Sequence, residues 1–368
     1  MAVPDTGTPS GASTVSGLMP PEDDEGAVDL PAGAPGGSPP GLWSTLPEAV
    51  LLLGWIIVGV LAVFALLRIV AWDSLEPLIV VNALTMVVYL PAWIVAIGAA
   101  LFRHWLLMGA ALVVVVAQIA FVLPELTAAQ PLPAWTRHAP IMRVFDANIN
   151  KVGFFASGYV QAIEAYRPDV MSFEEFSPGA LDSMTASGVL RAFPYRCSYP
   201  APEATGFFVA SRWPLSDCQL HSVEVSYVPR PYMVEATLTT PAGPVALRVV
   251  HTLAPLPLMS TQWKLALAAV NRSIRASGTN RMLMTGDFNA TWGNRGFVTL
   301  LGDGLTDGAA ARGQALDMTW PDGAPVPPFI RIDHVLTGAN LAVVTIATGS
   351  GFGRRSHHYL TARVAIRP

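Results

Sequence analysis

Three long apolar blocks, followed by a change of rhythm, organise this chain. The blocks run from Ala49 to Val70, from Leu78 to Phe102 and from Trp105 to Leu123. Each holds about the 20 apolar residues that a helix needs to cross roughly 30 Å of hydrocarbon. The pieces between them are short, Ala71 to Pro77 and Arg103-His104. Trp72 and Trp105 fall at block ends, where interfacial tryptophans belong. The pattern predicts a three-helix transmembrane segment over 47–124. Asn82 and Gln118 interrupt it, and amides in such places act as helix–helix glue more often than as a polar path.

From Ile141 the apolar period shortens. Strands are predicted from Met142 to Ile149, Pro168 to Phe173, Tyr232 to Thr239, Val245 to His251, Arg281 to Thr285 and Tyr359 to Ile366. Shorter strands fill 192–226 and 330–348. Helical spacing appears from Gly153 to Tyr166, Pro178 to Leu190, Met259 to Ser277 and Arg295 to Leu301. Antiparallel runs punctuated by helices predict an α+β sandwich over 141–368 rather than a simple parallel sheet.

Composition sharpens the boundaries. The chain is 52% hydrophobic and only 13% charged, too apolar for an ordinary soluble protein, and the excess lies in the three blocks. Residues 1–46 are rich in Pro, Gly, Ser, Ala and acids, with Glu22-Asp23-Asp24-Glu25 at the centre. Such a stretch buries too little apolar surface to fold and is expected to be a disordered tail. It has no basic start, so no cleavable signal peptide is expected at Met1. Residues 125–140, with Gln130-Pro131-Leu132-Pro133, read as a linker.

Charge is uneven, −8 over residues 1–136 and +4 over 137–368. A surplus that small gives no sign of a polyanion-binding surface. Cys197 and Cys218 have no zinc-type spacing and read equally as a disulfide or as two buried thiols. The arginines near the blocks lean weakly toward a cytoplasmic C-terminal domain. The paired cysteines lean outward, and the balance falls slightly on the extracytoplasmic side.

Candidate chemistry sits where predicted strands end. Gly286-Asp287-Phe288-Asn289 follows the apolar run Met282-Leu283-Met284. A carboxylate and a carboxamide two apart point the same way in extended chain. Such a pair can activate and position a water, although it could equally be an Asx-type turn. Other strands end at Asn148 and Asn150, at Glu174 and Glu175, at His251, and at Asp333-His334, and Arg354-Arg355-Ser356-His357-His358 precedes the last strand. An oxygen-rich set without thiolates suits Mg²⁺ or Mn²⁺ rather than zinc.

This ordered series resembles the endonuclease/exonuclease/phosphatase superfamily, of deoxyribonuclease-I-like fold, over roughly 141–368. The resemblance rests on Arg143 to Asn148, on Arg167 to Glu175, and on Ser211-Arg212-Trp213-Pro214-Leu215. It continues in Val249-Val250-His251, Gly286 to Asn289, Thr319-Trp320-Pro321, Arg331 to Leu336 and Ser356-His357-His358. It implies a four-layer α/β/β/α sandwich and a metal-dependent phosphoric ester hydrolase, a phosphodiesterase, nuclease or phosphatase. Glu175 would bind the cation, with Asn148 and Asn150 assisting. Asp287 would orient or deprotonate water, with Asn289 fixing the geometry. His358 held by Asp333 would bind phosphate or exchange a proton, with His251 as the second imidazole. Arg354 and Arg355 would contact phosphate or form a solvated turn.

The chain departs from the family pattern at His357, which stands where the family has the Asp of Ser-Asp-His. That substitution supports an alternative, a catalytically degenerate membrane-bound sensor of a phosphate ligand. The implied partners are a bilayer and a phosphate ester, whether lipid headgroup, nucleic acid or small molecule. No protein partner is inferable.

Overall fold

The computed structural model describes residues 47–151, 154–256, 259–352 and 356–368. The acidic tail and Arg354 and Arg355 lie outside the described residues.

Five helices open the described chain: α1 (Glu48–Val70), α2 (Glu76–Ala83), α3 (Thr85–Val88), α4 (Leu90–Leu101) and α5 (Trp105–Leu126). Two of them, α1 and α5, are long and apolar enough to cross a membrane. The second block, expected to be one straight span, is bent by 77° between α2 and the α3–α4 stretch, so that it adds a third span only if the bent pair is counted as one. Polar side chains explain the bend. The Arg68 guanidinium donates to the Thr85 hydroxyl at 3.0 Å, and the Asn82 amide donates to Asp73 at 2.9 Å. The Gln118 amide donates to the carbonyls of Thr85 and Met86, and Trp93 donates to the Gln118 oxygen. Gln118 is thus the interhelical glue that its sequence position suggests, satisfying carbonyls that the broken helix leaves open.

Twelve strands follow among the described residues. They are β1 (Ile141–Asn148), β2 (Val170–Glu174), β3 (Tyr195–Tyr199), β4 (Phe207–Ser211), β5 (Leu215–Val225), β6 (Val228–Thr240), β7 (Gly243–His251), β8 (Met282–Asp287), β9 (Thr306–Asp307), β10 (Asp333–Thr337), β11 (Leu341–Gly349) and β12 (Tyr359–Ile366). They form two six-stranded sheets, in the orders β11-β12-β1-β2-β4-β3 and β5-β6-β7-β8-β10-β9. The pairs β1–β2 and β7–β8 are parallel, and the other pairs are antiparallel.

Strand alternation builds the layers. Val144, Val170, Val209, Val249, Leu283 and Val335 meet in the core between the sheets. Phe145, Met171 and Phe208, each adjacent in sequence to one of these, pack outward with Tyr159 and Ile163 of α6 (Ser157–Tyr166) and Met184 of α7 (Pro178–Ala186). Met282, Met284 and Leu336 face the opposite outer layer, α8 (Ser260–Ser277) and α9 (Arg295–Gly302), through Trp263, Val270 and Phe297. The α+β sandwich expected for 141–368 is present. Cys197 on β3 and Cys218 on β5 are bridged, joining the two sheets at one edge.

His334 lies on the outer face of β10, away from the Asp333 side chain. Its Nδ1 is 3.2 Å from Asp307 and its Nε2 is 3.1 Å from the Ala290 carbonyl. Asp307 also accepts from Trp292 and from the Ala309 N–H. Burial alone would raise the Asp307 pKa, but His334, with Arg331 and the Trp292 donor adding to it, holds it down to about 2. The stabilisation is therefore full above the ordinary carboxylate range and is lost as pH falls through about 2. Asp307→Asn removes the charge but keeps the shape. It should destabilise the chain by roughly 3 kcal/mol, read as a lower Tm of the full chain in detergent.

Candidate active site

At one rim the interior between the sheets turns from apolar to polar. Continuing the inward parity of each strand gives Val144, Asp146, Asn148 on β1 and Val170, Ser172, Glu174 on β2. The same parity gives Leu247, Val249, His251 on β7 and Leu283, Thr285, Asp287 on β8. Register aligns the ends. His251 pairs with Asp287 across β7–β8, Asp287 with Asp333 across β8–β10, and Asn148 with Glu174 across β1–β2. Residues far apart in sequence therefore share one level.

Gly286 lets the end of β8 lie close against β7 beside Asp287. Its φ is +126°, and a Cβ there would lie 2.1 Å from the Val250 carbonyl oxygen. Asp287 is fixed from three sides. It accepts the Asn289 N–H at 2.7 Å and the Asn289 and Asn148 amides at 3.0 Å each. The Asn289 amide also donates to the Thr252 carbonyl at 2.7 Å.

The Asn148 amide nitrogen lies 3.3 Å from Glu175, while its oxygen accepts the Asn150 N–H at 2.8 Å. Asn148, expected among the metal ligands, ties the two carboxylates Glu175 and Asp287 together through its amide nitrogen. His251 is buried, with Nε2 3.6 Å from Glu175 and 3.7 Å from Asp287.

The two adjacent histidines separate. His357 Nδ1 lies 2.9 Å and 3.1 Å from the two Asp333 oxygens, and its Nε2 is 3.9 Å from Asp287. His358 turns the other way, with Nε2 3.5 Å from Asp322. The imidazole expected on Asp333 was His358; it is His357. Backbone pairing sets this phase. Asp322 bridges Ser356, and the His358 N–H donates to the Thr319 carbonyl, so alternation brings the side chain of His357 inward.

Electrostatics follow from burial. Desolvation, with Asp333 adding to it, raises the Asp287 pKa. Burial lowers that of His251. Burial opposes protonation of His357, but Asp333 and Asp287 overcome it and push the ring up to about 9. Behind the site, Asp146 and Glu174 are buried acids, both raised by desolvation. Ser172 donates to Asp146 at 2.5 Å. Asp146 and Ser172 escaped the sequence reading, although the two-residue inward period of β1 and β2 points to them.

Such a concentration of buried carboxylates calls for a cation. Glu175 and Asp287 supply oxygens that fit a hard divalent ion. Asp287, Asp333 and His357 also lie close enough to share one. Their cleft, about 680 Å³, includes Asn150, Lys151, His251 and Asn289.

A two-sheet sandwich with carboxylates, amides and imidazoles gathered at one rim is the architecture of a class of phosphoester hydrolases. The chain belongs to the Endonuclease/Exonuclease/phosphatase family, whose pattern matches residues 147–356. Among solved structures, D. rerio TDP2 complexed with single-strand DNA product is 14% identical, with a TM-score of 0.51, covering 61% of this chain and 98% of that one. The endonuclease/exonuclease/phosphatase from Beutenbergia cavernae DSM 12333 is 16% identical, with a TM-score of 0.48, covering 62% and 72%. The 3'-5' exonuclease from Neisseria meningitidis is 17% identical, with a TM-score of 0.48, covering 62% and 100%. At these identities the likeness is one of fold. No curated protein matches the chain.

Proposed function

We propose that this chain is a membrane-anchored, divalent-metal-dependent phosphoric ester hydrolase. The observation that carries the reading is the meeting of Glu175, Asp287, His251 and His357 within one cleft. Mg²⁺ is the preferred cation; Glu175 would hold it, and when bound it would supply Lewis-acid stabilisation of phosphoryl charge.

The chain's own residues do the rest. Asn148 and Asn289 hold Asp287 in one orientation. Asp287 takes a proton from water as the water oxygen bonds to phosphorus. The bond from phosphorus to the ester oxygen breaks. His357, kept charged by Asp333, gives that oxygen a proton. His251, through Nε2, hydrogen-bonds a phosphoryl oxygen.

The sensor alternative rested on His357 as a lost Asp. The contact of His357 with Asp333 is the one expected of an oriented imidazole, and it favours the hydrolase over the sensor. The disulfide favours an oxidising compartment and so an extracytoplasmic domain.

The test is metal removal. EDTA should reduce hydrolysis of a p-nitrophenyl phosphodiester by the full chain at least about 10²-fold, and Mg²⁺ should restore it. Activity indifferent to EDTA would overturn the reading.

A further inference from the structure

The cleft of the candidate active site is not walled by the sandwich alone. Val80 and Leu84, from α2 and the residue after it, line it together with Leu256, Met259 and Phe329. Val80 is 41% exposed and Leu256 56% exposed, so the mouth is apolar and open. A site for a small, polar ester has no use for such a wall, and a contiguous apolar surface beside polar groups marks a ligand with both characters.

The α2 wall is built in, not loosely tethered. Ile79, on α2, is fully buried in the core that contains Trp263 and Met284. The Asn294 amide donates to the Ile79 carbonyl at 3.0 Å, and the Thr291 hydroxyl to that of Ala83 at 3.3 Å. Arg68 and Trp72 both donate to the Gly293 carbonyl, at 2.9 and 2.7 Å. A Cβ at Gly293 would lie 1.8 Å from the Asn82 carbonyl oxygen, so only glycine permits this approach. The Arg295 N–H donates to Asp73 at 2.7 Å. The loop that follows Asp287 and Asn289 is therefore clasped by the turn leaving α1, one of the helices long enough to cross a membrane. Among the described residues of the cleft, Lys151 is the one permanent cation.

We propose that the substrate is a membrane-resident amphiphile, whose phosphoester reaches Glu175, Asp287 and His357 while its aliphatic tail lies on Val80, Leu84, Leu256 and Phe329. This rests on the hydrolase reading and names its substrate class. The bend between α2 and the α3–α4 stretch carries Leu84, so the break in the second apolar block becomes part of the tail's path.

The test compares methyl and dodecyl p-nitrophenyl phosphate, hydrolysed by the full chain in mixed micelles with Mg²⁺. The dodecyl-to-methyl ratio of kcat/KM should fall at least about tenfold in Val80→Asp and in Leu256→Asp, the effect of losing contact with about two methylenes. Partition into micelles is common to all the proteins and cancels in that comparison. Both positions are exposed, so the variants should fold. A ratio unchanged in both variants would overturn the amphiphile while leaving the hydrolase standing, as would a single-stranded oligonucleotide hydrolysed faster than the dodecyl ester. If neither ester is cleaved, dodecylphosphonate binding that weakens in Val80→Asp upholds the amphiphile and sinks the hydrolase. Binding that ignores the tail sinks both.

Discussion

His357→Ala is expected to reduce kcat by about 10³-fold, whereas His358→Ala should stay within about threefold of wild type. The two side chains are neighbours in sequence but not in chemistry. His357 is seated on Asp333 through Nδ1 and presents Nε2 toward Asp287. His358 faces Asp322 and lies off the carboxylate cluster. Asp333→Asn should reproduce most of the His357 loss, since it removes the charge that keeps the ring protonated and aimed. Steady-state hydrolysis by the three variants, with Tm measured alongside, checks the ordering. A His358→Ala loss as deep as that of His357→Ala would contradict it.

Asp287→Asn is the second large effect, a loss of about 10³- to 10⁴-fold in kcat with the fold kept. An amide cannot take the proton from water, yet its oxygen can still accept from Asn148 and Asn289. The substitution also relieves crowding among buried acids, because burial and Asp333 both disfavour the ionised Asp287. Tm should therefore hold or rise while activity collapses, a divergence that separates a functional carboxylate from a structural one. A parallel fall in Tm and rate would place Asp287 in the framework instead.

Much of this site is legible in sequence, for definite reasons. An apolar strand that ends in Gly-Asp-Phe-Asn announces a polar rim, and His251 at the end of β7 and Glu175 just past β2 follow the same rule, whereas Asp333, expected at a strand's end, opens β10 instead. What is not legible is phase and partner. Adjacent histidines point to opposite faces of an extended chain, and which faces inward depends on the Asp322–Ser356 bridge. The second apolar block reads as a straight span, because the polar groups that bend it are distant. Arg68 answers to Thr85 and Gly293, and Asp73 to Asn82 and Arg295. Asp146 and Ser172 were within reach of the two-residue period, but a search confined to strand ends passes over the layer behind them.

The central claim is that water attacks phosphorus under the direction of Asp287. The full chain, incubated with Mg²⁺ and a p-nitrophenyl phosphodiester in ¹⁸O-labelled water, tests it directly. The predicted result is ¹⁸O in the phosphoryl product of the wild type, at a rate at least about 10³-fold above that of Asp287→Asn. Equal rates in the two proteins, or label absent from the phosphoryl group, would contradict it.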